Sequence, residues 1–197
     1  MGKVVADMSM SLDGFVADPS DGVDKVFGWY GTGDVAVESA HPDITFQVSE
    51  NSAAYLREAI ADTGALVSGR RTFDLAEGWD GKHPTGVPVF IATHSVPDGW
   101  PRADVPFTFV TDGIESAIAQ AKAAAGDKSV CVASPSIAQQ CLEAGLLDEI
   151  QVAVVPVLLG DGIRLFERFK DLEVDLTGPR VIEGKGVTHL VYGVKSA

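Results

Sequence analysis

Along the chain, runs rich in Val, Ile and Phe alternate with stretches of helical period. The strand-like runs fall at about 3–9, 64–68, 87–93, 107–111, 129–133, 148–158, 172–182 and 187–195. Between them, SENSAAYLREAIADTG opens on Ser49 or Asn51 and stops at Gly64, while GIESAIAQAKAAAG sets Ile114, Ala117, Ile118 and Ala121 on one face and stops at Gly126. In SPSIAQQCLEAGLLDE, Ser134 can cap, Pro135 suits the first helical position and Gly145 closes the helix. This alternation predicts an α/β fold. Its central sheet is expected to have about eight mostly parallel strands covered on both faces, with the last two strands antiparallel at one edge around IEGKGV. No repeat or linker interrupts the pattern, so one domain over residues 1–197 is the expectation. The irregular stretch from Leu12 to Val48 is too long for a plain connection and is expected to cover a site.

Composition narrows the partners. A chain of 197 residues with a formal charge of −13 can bury a substantial core, but its few, dispersed cations do not suit nucleic acid. No run approaches the roughly 18 apolar residues of a membrane span, and the N-terminus does not read as a secretory signal. Cys131 and Cys141, both inside apolar patterns, read as buried reduced thiols of a cytoplasmic protein. The four histidines are scattered, no metal-ligand spacing occurs, and no metal is expected.

Against this acidic background, ALVSGRRTFD places Arg70 and Arg71 at the end of a strand, after Gly69 and before Thr72, with a helix expected to start near Thr72 or Phe73. A strand end leading into a helix start is an anion site in backbone alone, and two guanidiniums add forked donors. The alternative is that both arginines pair with surface carboxylates while Thr72 caps the helix. From these residues both readings stand.

Four segments in order, VADMSMSLDGFVA, VSGRRTFD, VPVFIATH and AQQCLEAGLLDEIQVAVVPVLLGDGIRLFE, resemble the reductase family that contains the dihydrofolate reductases and the C-terminal domain of the bacterial riboflavin-biosynthesis deaminase/reductase. The resemblance runs from about residue 3 to 194. It implies a dihydrofolate-reductase-like three-layer α/β/α fold, NADPH as cofactor, hydride transfer to a small heterocycle or carbonyl compound of the pteridine or riboflavin-precursor type, and a homodimer. By the same resemblance Gly69, Arg70, Arg71 and Thr72 would hold the phosphates of NADPH, and Thr93 and His94 would form the other side of the adenosine pocket. The nicotinamide would sit among Ala6, the loop from Leu12 to Gly14, and the strand end at Val132, Ala133 and Ser134, with Ser136 and Ile137 also counted among the cofactor-binding residues.

The resemblance also carries a departure. Where many members have a Gly-Gly pair, this chain has Ala133-Ser134-Pro135, so either Ser134 and Ser136 donate to the phosphates or the added bulk weakens cofactor binding. Asp13 is the candidate for catalysis, as a polar or proton-handling group near the substrate, against the plainer role of bonding its own Asp-Gly turn. Glu50 matches a carboxylate of the dihydrofolate reductases too loosely to assign. Of the loop aromatics, Trp29 is the expected ligand wall, as the resemblance to riboflavin-pathway reductases with a tryptophan in this region implies. Two other readings share the scaffold: a nucleotide-binding protein without catalysis, and a reductase that uses a flavin or deazaflavin.

Overall fold

The computed structural model describes residues 2–167 and 173–195. The chain opens with β1 (Val4–Ser11), β2 (Phe15–Ala17), α1 (Asp24–Phe27), the paired β3 (Val35–Glu38) and β4 (Thr45–Val48), and α2 (Glu50–Asp62). It continues through β5 (Thr63–Gly69), α3 (Arg70–Leu75), β6 (Val89–Ala92), β7 (Phe107–Val110), α4 (Ile114–Ala125), β8 (Ser129–Val132) and α5 (Pro135–Glu143). Then come β9 (Glu149–Val155), β10 (Ile163–Arg164), β11 (Arg180–Gly184) and β12 (Val187–Gly193).

Eight strands share one sheet in the order β11, β12, β9, β1, β8, β5, β6, β7. Pairing is parallel from β9 to β7 and antiparallel where β12 joins β9 and β11. The expected mostly parallel sheet with an antiparallel C-terminal edge is therefore found. Gly186, at a φ of 73°, makes the turn between the last two strands.

Boundaries moved in places. The strand expected over 148–158 ends at Val155, because Pro156 has no N–H to continue the ladder. Of the strand expected over 172–182, residue 172 lies outside the described residues, and regular pairing begins only at Arg180, after an isolated bridge between Leu176 and Val194. The long stretch after Leu12 holds the short strand β2, a one-turn helix, a 3₁₀ turn over Gly28–Gly31 and the β3–β4 pair. The helix expected near Thr72 starts earlier, with Gly69 as N-cap, so Arg70 and Arg71 form its first turn.

The faces of the sheet differ. On one, Val4 and Ala6 of β1, Val130 and Val132 of β8, and Ile150 and Val152 of β9 meet Ile118 and Ala121 of α4 and Ile137 and Cys141 of α5 in a continuous apolar layer. On the other, two smaller clusters form. Ala53 and Leu56 of α2 pack with Trp29 on Ala153, Val155 and Val187, and Phe73 of α3 packs on Leu66, Val89 and Ile91. Because side chains alternate along a strand, β1 presents Val5, Asp7, Ser9 and Ser11 to this second face.

Candidate functional site

The ends of β5 and β8 carry the starts of α3 and α5 side by side. Ser134 Oγ, with its residue 1 % exposed, joins them: it accepts from the Gly69 amide at 2.9 Å, donates to Thr72 Oγ1 at 2.8 Å and lies 3.0 Å from Ser68 Oγ. The hydroxyl that replaces glycine in this chain is thus a strut between two helix starts. It is not turned toward a phosphate. Gly69 has an ordinary φ of −88°, and a Cβ there would come within 3.3 Å of Ile137 Cγ1 and 3.5 Å of Ser136 Oγ. The glycine admits α5, where the sequence suggested that it admits a ligand. Ser136 stays exposed at the start of α5, while Ile137 belongs to the core.

Both arginines find carboxylates. Arg70 Nε donates to both oxygens of Asp74 at 2.8 Å, one helical turn on, and its Nη1 donates to the Ser95 carbonyl at 3.0 Å. Arg71 grips Asp21 with a fork of 3.0 and 2.6 Å. Asp21 has a φ of 65° and sits in a turn held by Asp18, whose Oδ1 accepts from the amides of Ser20 and Gly22. The irregular stretch therefore reaches the start of α3 through the Asp21–Arg71 pair. Thr93 caps the turn beside Arg70 by donating to the Ser95 carbonyl, and His94 is exposed next to it. Arg70, Arg71, Thr93 and His94 thus share one corner. The Arg71 side chain remains 69 % exposed, and the anion in its fork is a single carboxylate.

Asp13 acts as a clamp in this structure. Its Oδ1 accepts from Ser11 Oγ at 2.6 Å and from the Leu159 amide at 3.1 Å, and its Oδ2 accepts from the Gly160 amide at 2.7 Å. These bonds, the Ser11 hydroxyl foremost, hold the carboxyl at about 2. A group ionised at every ordinary pH does not fit the proton-handling role considered for it. It fastens the turn at Gly14, which needs its φ of 91°, to the loop after β9, and Leu12 joins through its amide to the Val157 carbonyl.

Three other expectations change. Trp29 is 2 % exposed, donates from Nε1 to Ser9 Oγ at 2.9 Å and stacks on Tyr30 at 4.0 Å, so it is part of the core and not a ligand wall. Ala6 and Val132 are 1 % and 0 % exposed, within the sealed layer under α4 and α5. Neither side chain can meet a ligand. Ala133, just past the end of β8, is half-buried on the other face against the α3 cluster.

The sequence reading missed Asp7. A cavity of about 560 Å³ lies between α2 and the sheet, walled by Val5 and Asp7 of β1, Tyr55 and Ala59 of α2, Cys131 of β8 and Gln151 of β9. Desolvation raises the Asp7 carboxyl to about 6. Burial also raises Tyr30, Tyr55 and the Cys131 thiol, so all three stay neutral near pH 7. The Tyr55 ring stacks on His189 at 4.4 Å and donates its hydroxyl to Gln151 Oε1 at 2.7 Å. His189, itself buried, bonds Ser52 Oγ through Nε2, and burial lowers its pKa to about 4. A signal for Asp7 was present: in VVADMSMS every second residue from Asp7 is polar, which a central strand buried on both faces would not show.

Comparison with known proteins agrees with this architecture. No curated protein sequence matches the chain. The model of the RibD C-terminal domain matches residues 2–184. Among solved structures, a putative riboflavin biosynthesis protein from Shewanella sp. PV-4 is 25 % identical, with a TM-score of 0.68 over 98 % of this chain and 99 % of that one. Dihydrofolate reductase from Enterococcus faecalis, complexed with NADP(H) and RAB-propyl, shares the fold at 13 % identity, a TM-score of 0.60, and 98 % and 97 % coverage. The deaminase/reductase of Thermotoga maritima matches at 12 % identity and a TM-score of 0.64 over 98 % of this chain; the match spans only 57 % of that longer protein. With a mostly parallel eight-stranded sheet and a family match over nearly its whole length, the chain belongs to the RibD C-terminal domain family.

Proposed function

We propose that the protein is a reductase that uses NADPH to reduce a small heterocyclic or carbonyl compound. The observation that carries this reading is the family match over residues 2–184, with Arg70, at the start of α3, brought against the loop after β6 and Arg71 beside it. When bound, NADPH would supply the hydride. The chain's own residues would hold and orient it. Arg71 already grips one anion in a bidentate fork, and guanidinium matches phosphate as well as carboxylate. A 2′-phosphate would exchange with Asp21, while Arg70 and Thr93 shape the adenosine side. Thr72 and Ser134 would keep the two helix starts in place, and Ser136 is the exposed hydroxyl at the start of α5. Asp13 would hold the loop from Leu12 to Gly14 over the strand ends.

Titration of nicotinamide fluorescence tests the cofactor. NADPH should bind at least tenfold more tightly than NADH, and the preference should vanish in Arg71→Ala; equal and very weak binding of both nucleotides rejects the assignment. Turnover is then read as loss of nicotinamide absorbance across a panel of heterocycles and carbonyl compounds.

A further inference from the structure

We infer that Asp21 is a built-in competitor for the anion site at Arg71: its carboxylate holds the guanidinium fork in the free protein, a phosphate monoester displaces it, and a simple carboxylate does not. That the phosphate belongs to NADPH rests on the reductase reading; that Asp21 competes for the fork does not.

Three observations carry the inference. The first is where the carboxylate comes from. Arg70 pairs with Asp74, one turn along its own helix, but Arg71 takes its partner from fifty positions earlier, in the turn between β2 and α1. That turn is built on Asp18, whose Oδ1 accepts from the Ser20 and Gly22 amides and whose carbonyl accepts from the Asp21 amide. Among the described residues, Ser20, Asp21 and Gly22 hydrogen-bond outside their own turn only through the Asp21 fork. The turn presents one carboxylate to one guanidinium.

The second is the strength of the pair. The Arg71 side chain is 69 % exposed and that of Asp21 19 %. An ion pair open to water on the arginine side contributes little to stability. Asp21 also holds a φ of 65°, in the left-handed region that costs a residue with a side chain some free energy, and this offsets part of what the fork gains. The pair forms, and it is exchangeable.

The third is the open side of the guanidinium. Asp21 takes Nε and Nη2, while Nη1 has no partner among the described residues. An incoming phosphate can engage Nη1 first and then take over the fork, so Arg71 stays paired throughout the exchange. A free carboxylate brings no more charge than Asp21 and lacks its tether, which holds the Asp21 group at high effective concentration. A phosphate monoester near pH 7 carries almost two charges and three acceptor oxygens, and guanidinium matches it equally well in geometry.

Isothermal titration with adenosine 2′-monophosphate, in the absence of any nicotinamide nucleotide, tests the inference. The ligand should bind the parent saturably, and acetate at equal concentration should not displace it. Asp21→Asn should bind it about three- to fivefold more tightly, the range an exposed ion pair allows. Asp21→Gly, which adopts the left-handed backbone freely and has no side-chain acceptor, should gain at least as much. The gain should vanish in an Arg71→Ala background. It should stay below about twofold in Asp18→Asn, which removes a neighbouring charge but keeps an oxygen to hold the turn. Absence of saturable binding, an affinity unchanged in folded Asp21→Asn and Asp21→Gly, displacement by acetate, or an equal gain in Asp18→Asn or on the Arg71→Ala background overturns the inference. NADPH and NADH titrated in parallel report the cofactor reading separately: equal and weak binding of both, with the adenosine 2′-monophosphate pattern intact, removes that reading and leaves the competitor in place.

Discussion

On the face under α4 and α5, β1 contributes Val4 and Ala6 to a continuous apolar layer, with Met8 and Met10 packed against it. On the face under α2 and α3, the same strand presents Asp7, Ser9 and Ser11. The first face is closed by small and aliphatic side chains from two long helices. The second is closed only in two patches, one under α2 and one under α3, and the polar cavity lies along α2. The contrast separates labour within one sheet: one side holds the fold together, and the other leaves the half-buried Asp7 carboxylate with no hydrogen-bond donor among the described residues.

The largest effect that tests this division is Ile118→Ala, which opens a void in the sealed layer and should cost about 3 kcal/mol in urea denaturation. Cys131→Ala, bordering the cavity, should cost less than about 1.5 kcal/mol. Similar costs at both sites would remove the contrast.

Asp7 sharpens it from the other side. Its folded pKa of about 6 exceeds the usual 3.8, so the native state binds this proton more tightly than the unfolded chain. The resulting stabilisation is full below about pH 4 and is lost as pH rises through 6. The range is up to about 3 kcal/mol, less the share screened by water in the cavity. Asp7→Asn should therefore be more stable than the parent at pH 7.5, with the gain disappearing near pH 4. A loss of stability at pH 7.5 would mean that an unseen donor satisfies the carboxylate.

At the strand ends, Arg71→Ala should weaken NADPH about tenfold, near 1.4 kcal/mol, with little change for NADH. Asp21→Asn should do the reverse by a few fold, because it removes the carboxylate that competes for the same fork. The smallest effect is expected from Asp13→Asn. With its carboxyl near 2, Asp13 has no titration between pH 5 and 9, so the substitution should lower turnover without altering the shape of the pH profile. A displaced limb in that profile would return Asp13 to proton handling.

Much of this organisation is legible in the sequence. Ser49, Ser134 with Pro135, Gly126 and Gly145 mark the ends of helices that form where the period places them, because a helix boundary is set by residues within about one turn of it, although neither serine spends its hydroxyl on a capping bond. The arginine corner was legible as a group of residues, through the four motifs and their order. What those residues touch was not. Arg71 meets Asp21 fifty positions away and Ser134 meets Gly69 sixty-five away, and no local pattern sets such pairings.

The amino-acid order alone determined the alternating α/β elements, the antiparallel last pair and the polar repeat at every second residue of β1, since these follow from periodicity and turn chemistry within a few residues. Only the tertiary structure decided that Trp29 lies inside, that Asp13 is a clamp and that Asp7 faces a cavity. Burial and pKa depend on which distant segments exclude water from a side chain, and that is fixed when the sheet is assembled.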